Sequence, residues 1–99
     1  MKVQIQAVNF KADKELILRI EDKVATLDKY YDHIIEAQVY MNVQKTSEKA
    51  NKHLELKLAI SGDDIIAKKA SSTFEDALNQ VFTVAKKTLI KHKEKQRNK

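Results

Sequence analysis

The sequence predicts an α+β fold, a four-stranded sheet with two helices packed on one face, in the order β-α-β-β-β-α. Three observations carry that prediction. Apolar residues alternate singly along four segments, the period of a half-buried strand. Along two others they recur every three or four positions, the period of an amphipathic helix. The lone glycine and the Ser/Thr/Asp clusters fall between these segments, where turns and caps belong.

Val3, Ile5 and Ala7 alternate with Lys2, Gln4 and Gln6 and give the first strand. Asp13 is placed to cap a helix whose apolar positions are Leu16, Ile20, Val24, Leu27 and Tyr31, ending near residues 30–32. Ile35, Ala37, Val39, Met41 and Val43 alternate with Glu36, Gln38, Tyr40 and Asn42 as a second strand. Residues 44–52 have no apolar period and read as a loop carrying Lys45, Lys49 and Lys52. Leu54, Leu56, Leu58 and Ile60 form a third strand. Ser61-Gly62-Asp63-Asp64 has hairpin-turn chemistry, and residues 65–70 return as a fourth. Ser72 and Glu75 fit the N-cap and N3 positions of a capping box. The helix that follows packs through Phe74, Leu78, Val81, Phe82, Ala85 and Leu89. Taken to Lys95 it is roughly 34 Å long at 1.5 Å per residue. Its apolar stripe stops at Leu89, so the last turns are expected to overhang the sheet. The strand-helix-strand link at the start permits one parallel pair, and the sheet's other face reads as polar and solvated.

A chain of 99 residues supports one domain with a modest core, taken as residues 1–95, with a basic end at 96–99 that lacks apolar anchors and should fray. There is no cysteine, which excludes disulfides and thiolate metal sites. The first residues lack the apolar run of a signal peptide, and no segment approaches the ~18 apolar residues of a membrane span. A soluble cytoplasmic protein is the expectation. One glycine and no proline leave little for a phosphate-cradling loop. His33, His53 and His92 are dispersed, without partners at metal-ligand spacing. No nucleophile-and-base pair can be assembled, so the chain is expected to be neither an enzyme nor the holder of a cofactor.

Charge is distributed very unevenly. From Lys86 to Lys99 seven bases accompany one acid, Glu94, whereas residues 1–85 hold twelve bases and thirteen acids. The whole net charge of +5 therefore resides at one terminus. Lys87, Lys91 and Lys95 recur at i, i+4 and i+8 as one helical stripe, and Lys86, Lys93 and Arg97 form another on the opposite flank of the apolar face. One or two cations would complement the helix macrodipole, at about 0.3–1 kcal/mol each. Seven exceed that need, and a helix so charged can follow a polyphosphate backbone. Arg19, Lys23 and Tyr30 lie along one edge of the first helix. Lys23 either faces a groove shared with the basic helix or pairs with Glu21, Asp22 or Asp28. Lys68-Lys69 offers a weaker third point, because adjacent strand residues face opposite ways. His92, between Lys91 and Lys93, is a candidate RNA contact.

Two stretches resemble the bacterial ribosome hibernation-promoting factors of short form, related to the ribosome-associated inhibitor / sigma-54 modulation protein family. Leu27-Asp28-Lys29-Tyr30-Tyr31-Asp32-His33-Ile34 is similar to that family's Leu-x-x-Tyr-aromatic-Asp-x-Ile signature. Leu89-Ile90-Lys91-His92-Lys93-Glu94-Lys95 is similar to its basic C-terminal ending. The resemblance implies a ligand of the small ribosomal subunit that binds rRNA in the mRNA and tRNA channel, competes with both, and silences and protects idle ribosomes in stationary phase or stress. It carries the rRNA-contacting positions onto Lys23, Lys87, Lys91, His92, Lys93 and Lys95, and Lys86 joins them by position. Thr26 stands where the family often has a base. Lys86 and Ile90 replace small or polar residues, with Ile90 expected on the exposed side. A protein without the extra C-terminal domain of long members and without the acidic-polar tail of stress-type relatives is the expectation. The fold also resembles a double-stranded-RNA-binding domain, which lacks the leading strand. The free protein is expected to be monomeric. A different class stays open: a non-enzymatic interaction module that uses the basic helix, Ile90 or the polar sheet face to bind an acidic protein partner.

Overall fold

Leu54, Leu56, Leu58 and Ile60 turn to one side of a single strand and are each at most 4% exposed. That row is the centre of the core, and the rest of the molecule is arranged about it. The computed structural model describes residues 1–45 and 47–97, positions 96 and 97 as backbone only. It contains β1 (Lys2–Val8), α1 (Lys14–Ala25), a short 3-10 turn (Thr26–Lys29), β2 (Ile34–Val43), β3 (Lys52–Ile60), β4 (Asp63–Ser71) and α2 (Phe74–Arg97). The sheet order is β1-β2-β3-β4. β1 runs parallel to β2, with Val3 beside Ala37 and Ile5 beside Val39. The other two pairs are antiparallel, with Leu58 beside both Ala37 and Ile65. α1 packs beside β1 and α2 across β3 and β4, so both helices cover the same face.

Local chemistry sets the boundaries. Asp13 caps α1 by accepting the Leu16 N–H at 2.7 Å. The α-helix ends at Ala25, earlier than the apolar spacing suggests, and tightens into the 3-10 turn. There the Thr26 hydroxyl donates to the Lys23 carbonyl at 2.6 Å. The tighter turn still points Leu27 and Tyr31 inward, and both are buried. At the β3–β4 hairpin Gly62 has φ +80°, and a β-carbon there would meet nothing within 4 Å. The glycine is required by the backbone angle and not by lack of space.

Three further expectations change. Ile35 does not face the core: a bulge between Ile34 and Glu36 turns Ile34 inward, at 6% exposed, and leaves Ile35 at 64%. From Ala37 onward the alternation proceeds as expected. The N-cap of α2 is Thr73 and not Ser72. Its hydroxyl accepts the Asp76 N–H at 3.1 Å and its carbonyl the Ala77 N–H at 3.1 Å. Asp76 in turn accepts from the hydroxyl of Ser71, the buried last residue of β4, at 2.5 Å. That bond ties strand to helix one residue later than a capping box on Ser72 would. Lys52 opens β3, where its ammonium donates to Asn51 Oδ1 at 2.9 Å, and so belongs to the sheet.

α2 is helical to Arg97, and Leu89, the last fully buried residue among its described side chains, lies well short of that end. The eight residues that follow extend about 12 Å. Residues 98 and 99, the rest of the expected frayed end, lie outside the described residues. The open sheet face carries Gln4, Gln6, Gln38 and Tyr40 among cross-strand ion pairs, and Ile66 is 54% exposed there. Among the described residues no helix is long and apolar enough to cross a membrane.

Candidate nucleic-acid interface

The helical period divides the lysines of α2 between two flanks of its buried face. Lys87, Lys91 and Lys95 are all exposed. Lys86 and Lys93 are half-buried, on the side that meets the end of α1. None of these five pairs with a carboxylate among the described residues. Arg97, the expected continuation of the second stripe, is described as backbone only.

The two helices lie side by side, which settles Lys23. Its ammonium sits 4.4 Å from the centroid of the Phe82 ring on α2. Lys86 reaches back to the Tyr30 ring at 4.7 Å. The two rings meet edge to face at 6.5 Å. Cation, ring, ring and cation thus form one continuous ladder across the inter-helix groove. Each cation–π contact contributes about 0.5–1 kcal/mol where partly exposed. Lys23 makes this contact instead of pairing with Glu21, Asp22 or Asp28, so it and Lys86 belong to one surface.

His92 is placed differently from the lysines beside it. Its ring packs at 5.5 Å and 64° against buried Tyr31, which also meets His33 at 6.0 Å. It is half-buried, so one edge remains within the basic surface while the ring anchors the first turn beyond Leu89. Ile90, expected on the exposed side, is also half-buried.

Two of the other candidate bases are neutralised. Arg19 donates to Glu75 at 2.6 Å and to Glu15 at 3.0 Å, which closes the N-terminal end of the groove with a mixed-charge cluster. Lys68 stands on the open sheet face, 3.6 Å from Glu55, away from the helices. Lys69 lies in register with Leu54 on the opposite face. Thr26, which stands where the resembled family often has a base, caps the end of α1 through its hydroxyl. Among the described residues no group of three or more His, Asp and Glu is arranged to hold a metal ion.

The sequence singles out Lys23 and Lys86 but not the rings that hold them. Phe82 reads as a core position, and nothing in the sequence links Lys23 to Phe82 or Tyr30 to Lys86. Only the side-by-side packing of the helices brings them together.

Comparison with known proteins gives a consistent picture. The family model described as sigma 54 modulation protein / S30EA ribosomal protein matches residues 3–97. A ribosome hibernation promoting factor of Azotobacter vinelandii is 30% identical over 96 residues, covering 97% of this chain and 86% of that protein. One from Pseudomonas putida is 28% identical over 98 residues, covering 99% and 92%. Among solved structures, a ribosomal subunit interface protein from Coxiella burnetii superposes with a TM-score of 0.83 at 17% identity, over 95% of this chain and 99% of that one. The Protein Y N-terminal domain of Thermus thermophilus gives 0.80 at 15%, over 93% and 99%. At these identities the two structures show the shared fold.

Proposed function

The chain belongs to the sigma 54 modulation protein / S30EA ribosomal protein family, and on that premise we propose that it is a ribosome hibernation factor. It binds the rRNA of the small subunit in the mRNA and tRNA channel, competes with both ligands, and so blocks translation and stabilises idle ribosomes in stationary phase or stress. It acts in the cytoplasm, as a monomer and without catalysis. The observation that carries the reading is the end of α2: five lysines with no carboxylate partner among the described residues, mounted on a helix that continues beyond buried Leu89.

Physically, Lys23, Lys86, Lys87, Lys91, Lys93 and Lys95 contact phosphates, with the edge of His92 among them. A-form RNA is recognised largely through shape, 2′-hydroxyls and phosphates, so a rigid rod of point charges suits it without reading base edges. Each neutralised phosphate releases counterions, which makes the affinity fall steeply with salt. Arg19 and Lys68, already paired with carboxylates, take no part.

Co-sedimentation with vacant small subunits over a salt series tests the reading. The expected result is stoichiometric binding at low salt that weakens as salt rises and is displaced by tRNA with mRNA. Failure to co-sediment even at low salt would sink it and favour an acidic protein partner for the same helix.

A further inference from the structure

Lys23 and Lys86 differ from the other lysines of the surface in one respect. Each rests on an aromatic ring supplied by the opposite helical segment, Lys23 on Phe82 and Lys86 on Tyr30, and the rings touch each other. A free lysine has a flexible four-carbon stem and loses much rotamer freedom when it is fixed on a ligand. A lysine already held against a ring has lost part of that freedom before the ligand arrives, so less is lost on binding. The rings are fixed in turn, because Tyr30 and Phe82 are half-buried and packed against the core. Their edge-to-face contact also links the end of α1 to the middle of α2, so the two ammoniums keep a set spacing across the groove.

We infer that Tyr30 and Phe82 are positioning residues for the anion contact. They pre-order Lys86 and Lys23, and with them the register of the two helices on the phosphate backbone. Lys87, Lys91 and Lys95, exposed on the other flank, supply charge without such ordering. The inference rests on the function proposed above and adds a division of labour within its surface.

A pair of double-mutant cycles on the full chain tests it, with vacant small subunits as the probe. Met fills the space of either ring without a π face. Tyr30→Met should weaken binding about threefold to tenfold at moderate salt. Tyr30→Phe, which keeps the ring, should stay within about twofold of the unaltered protein. In a Lys86→Gln background Tyr30→Met should change affinity by less than about twofold, since the residue it positions is gone. Phe82→Met should behave in the same way toward Lys23→Gln, with Phe82→Tyr as the conservative variant. A purely structural role for either ring would lower affinity equally in both backgrounds, and that additivity would overturn the inference while leaving the proposed function intact. If the unaltered protein fails to bind small subunits, both fall together.

Discussion

Lysines stand on the open face of the sheet as well as on the end of α2, and the two regions treat them in opposite ways. On the sheet Lys57 lies 3.7 Å from Asp64 and Lys68 3.6 Å from Glu55, while Lys2 stands opposite Glu36 on the neighbouring strand. On α2 beyond Thr83 five described lysines share one helix with a single acid, Glu94. Exposed ion pairs contribute only about 0–1 kcal/mol, so pairing on the sheet does little for stability. What it does is cancel the field. Unpaired charges within a Debye length, about 10 Å at 0.1 M salt, add to one another instead. The number of lysines therefore says less about a partner than their distance from carboxylates does.

The comparison can be broken hardest at Leu89, where the buried stripe of α2 gives way to its basic end. Leu89→Ala should destabilise the domain by about 2–5 kcal/mol, because the removed side chain is fully buried. Chemical denaturation measures this. A loss below about 1 kcal/mol would mean that the helix end is not held through this residue. A smaller effect sharpens the contrast from the other end of the same helix. Thr73→Ala removes the hydroxyl that accepts the Asp76 N–H and should cost about 1 kcal/mol of stability, with the affinity of the folded protein unchanged. Lost ribosome affinity at full folding would contradict the assignment of that end to structure alone. The smallest effect belongs to the sheet. Lys57→Gln with Lys68→Gln should shift stability by no more than about 1 kcal/mol and leave the salt dependence of binding as it was.

Much of the fold was legible because hydrophobic period and turn chemistry agree. Leu54 to Ile60 alternates without ambiguity, and Gly62 marks the tight turn between β3 and β4. Where neighbouring residues were equally suitable, tertiary context decided. Ile34 and Ile35 are both isoleucines, and the bulge that buries the first leaves no trace in local sequence. Ser72 and Thr73 are both good caps, and the part-buried bond from Ser71 to Asp76 favours the second. The positions of the basic stripes followed from helical spacing alone. The seating of Lys23 and Lys86 on Phe82 and Tyr30 did not, since each pair spans more than half the chain and depends on how two helices meet.

The central claim is that the unpaired lysines of α2, and not basic residues in general, make the contact with rRNA. Binding to vacant small subunits across a salt series, for three forms of the protein, tests it most directly. One is unaltered, one has Lys87, Lys91 and Lys95 replaced by Gln, and one has Lys2, Lys57 and Lys68 replaced by Gln. The sheet set is a cleaner control than Lys45, Lys49 and Lys52, because Lys52 is half-buried at the start of β3. At about 0.7–0.9 units of log–log slope per phosphate, the helix triple variant should lose roughly 2–3 units and well over tenfold in affinity at moderate salt. The sheet triple variant should match the unaltered protein. Equal losses of slope and affinity in the two variants would mean diffuse electrostatic attraction, and the assignment of the contact to α2 would be wrong.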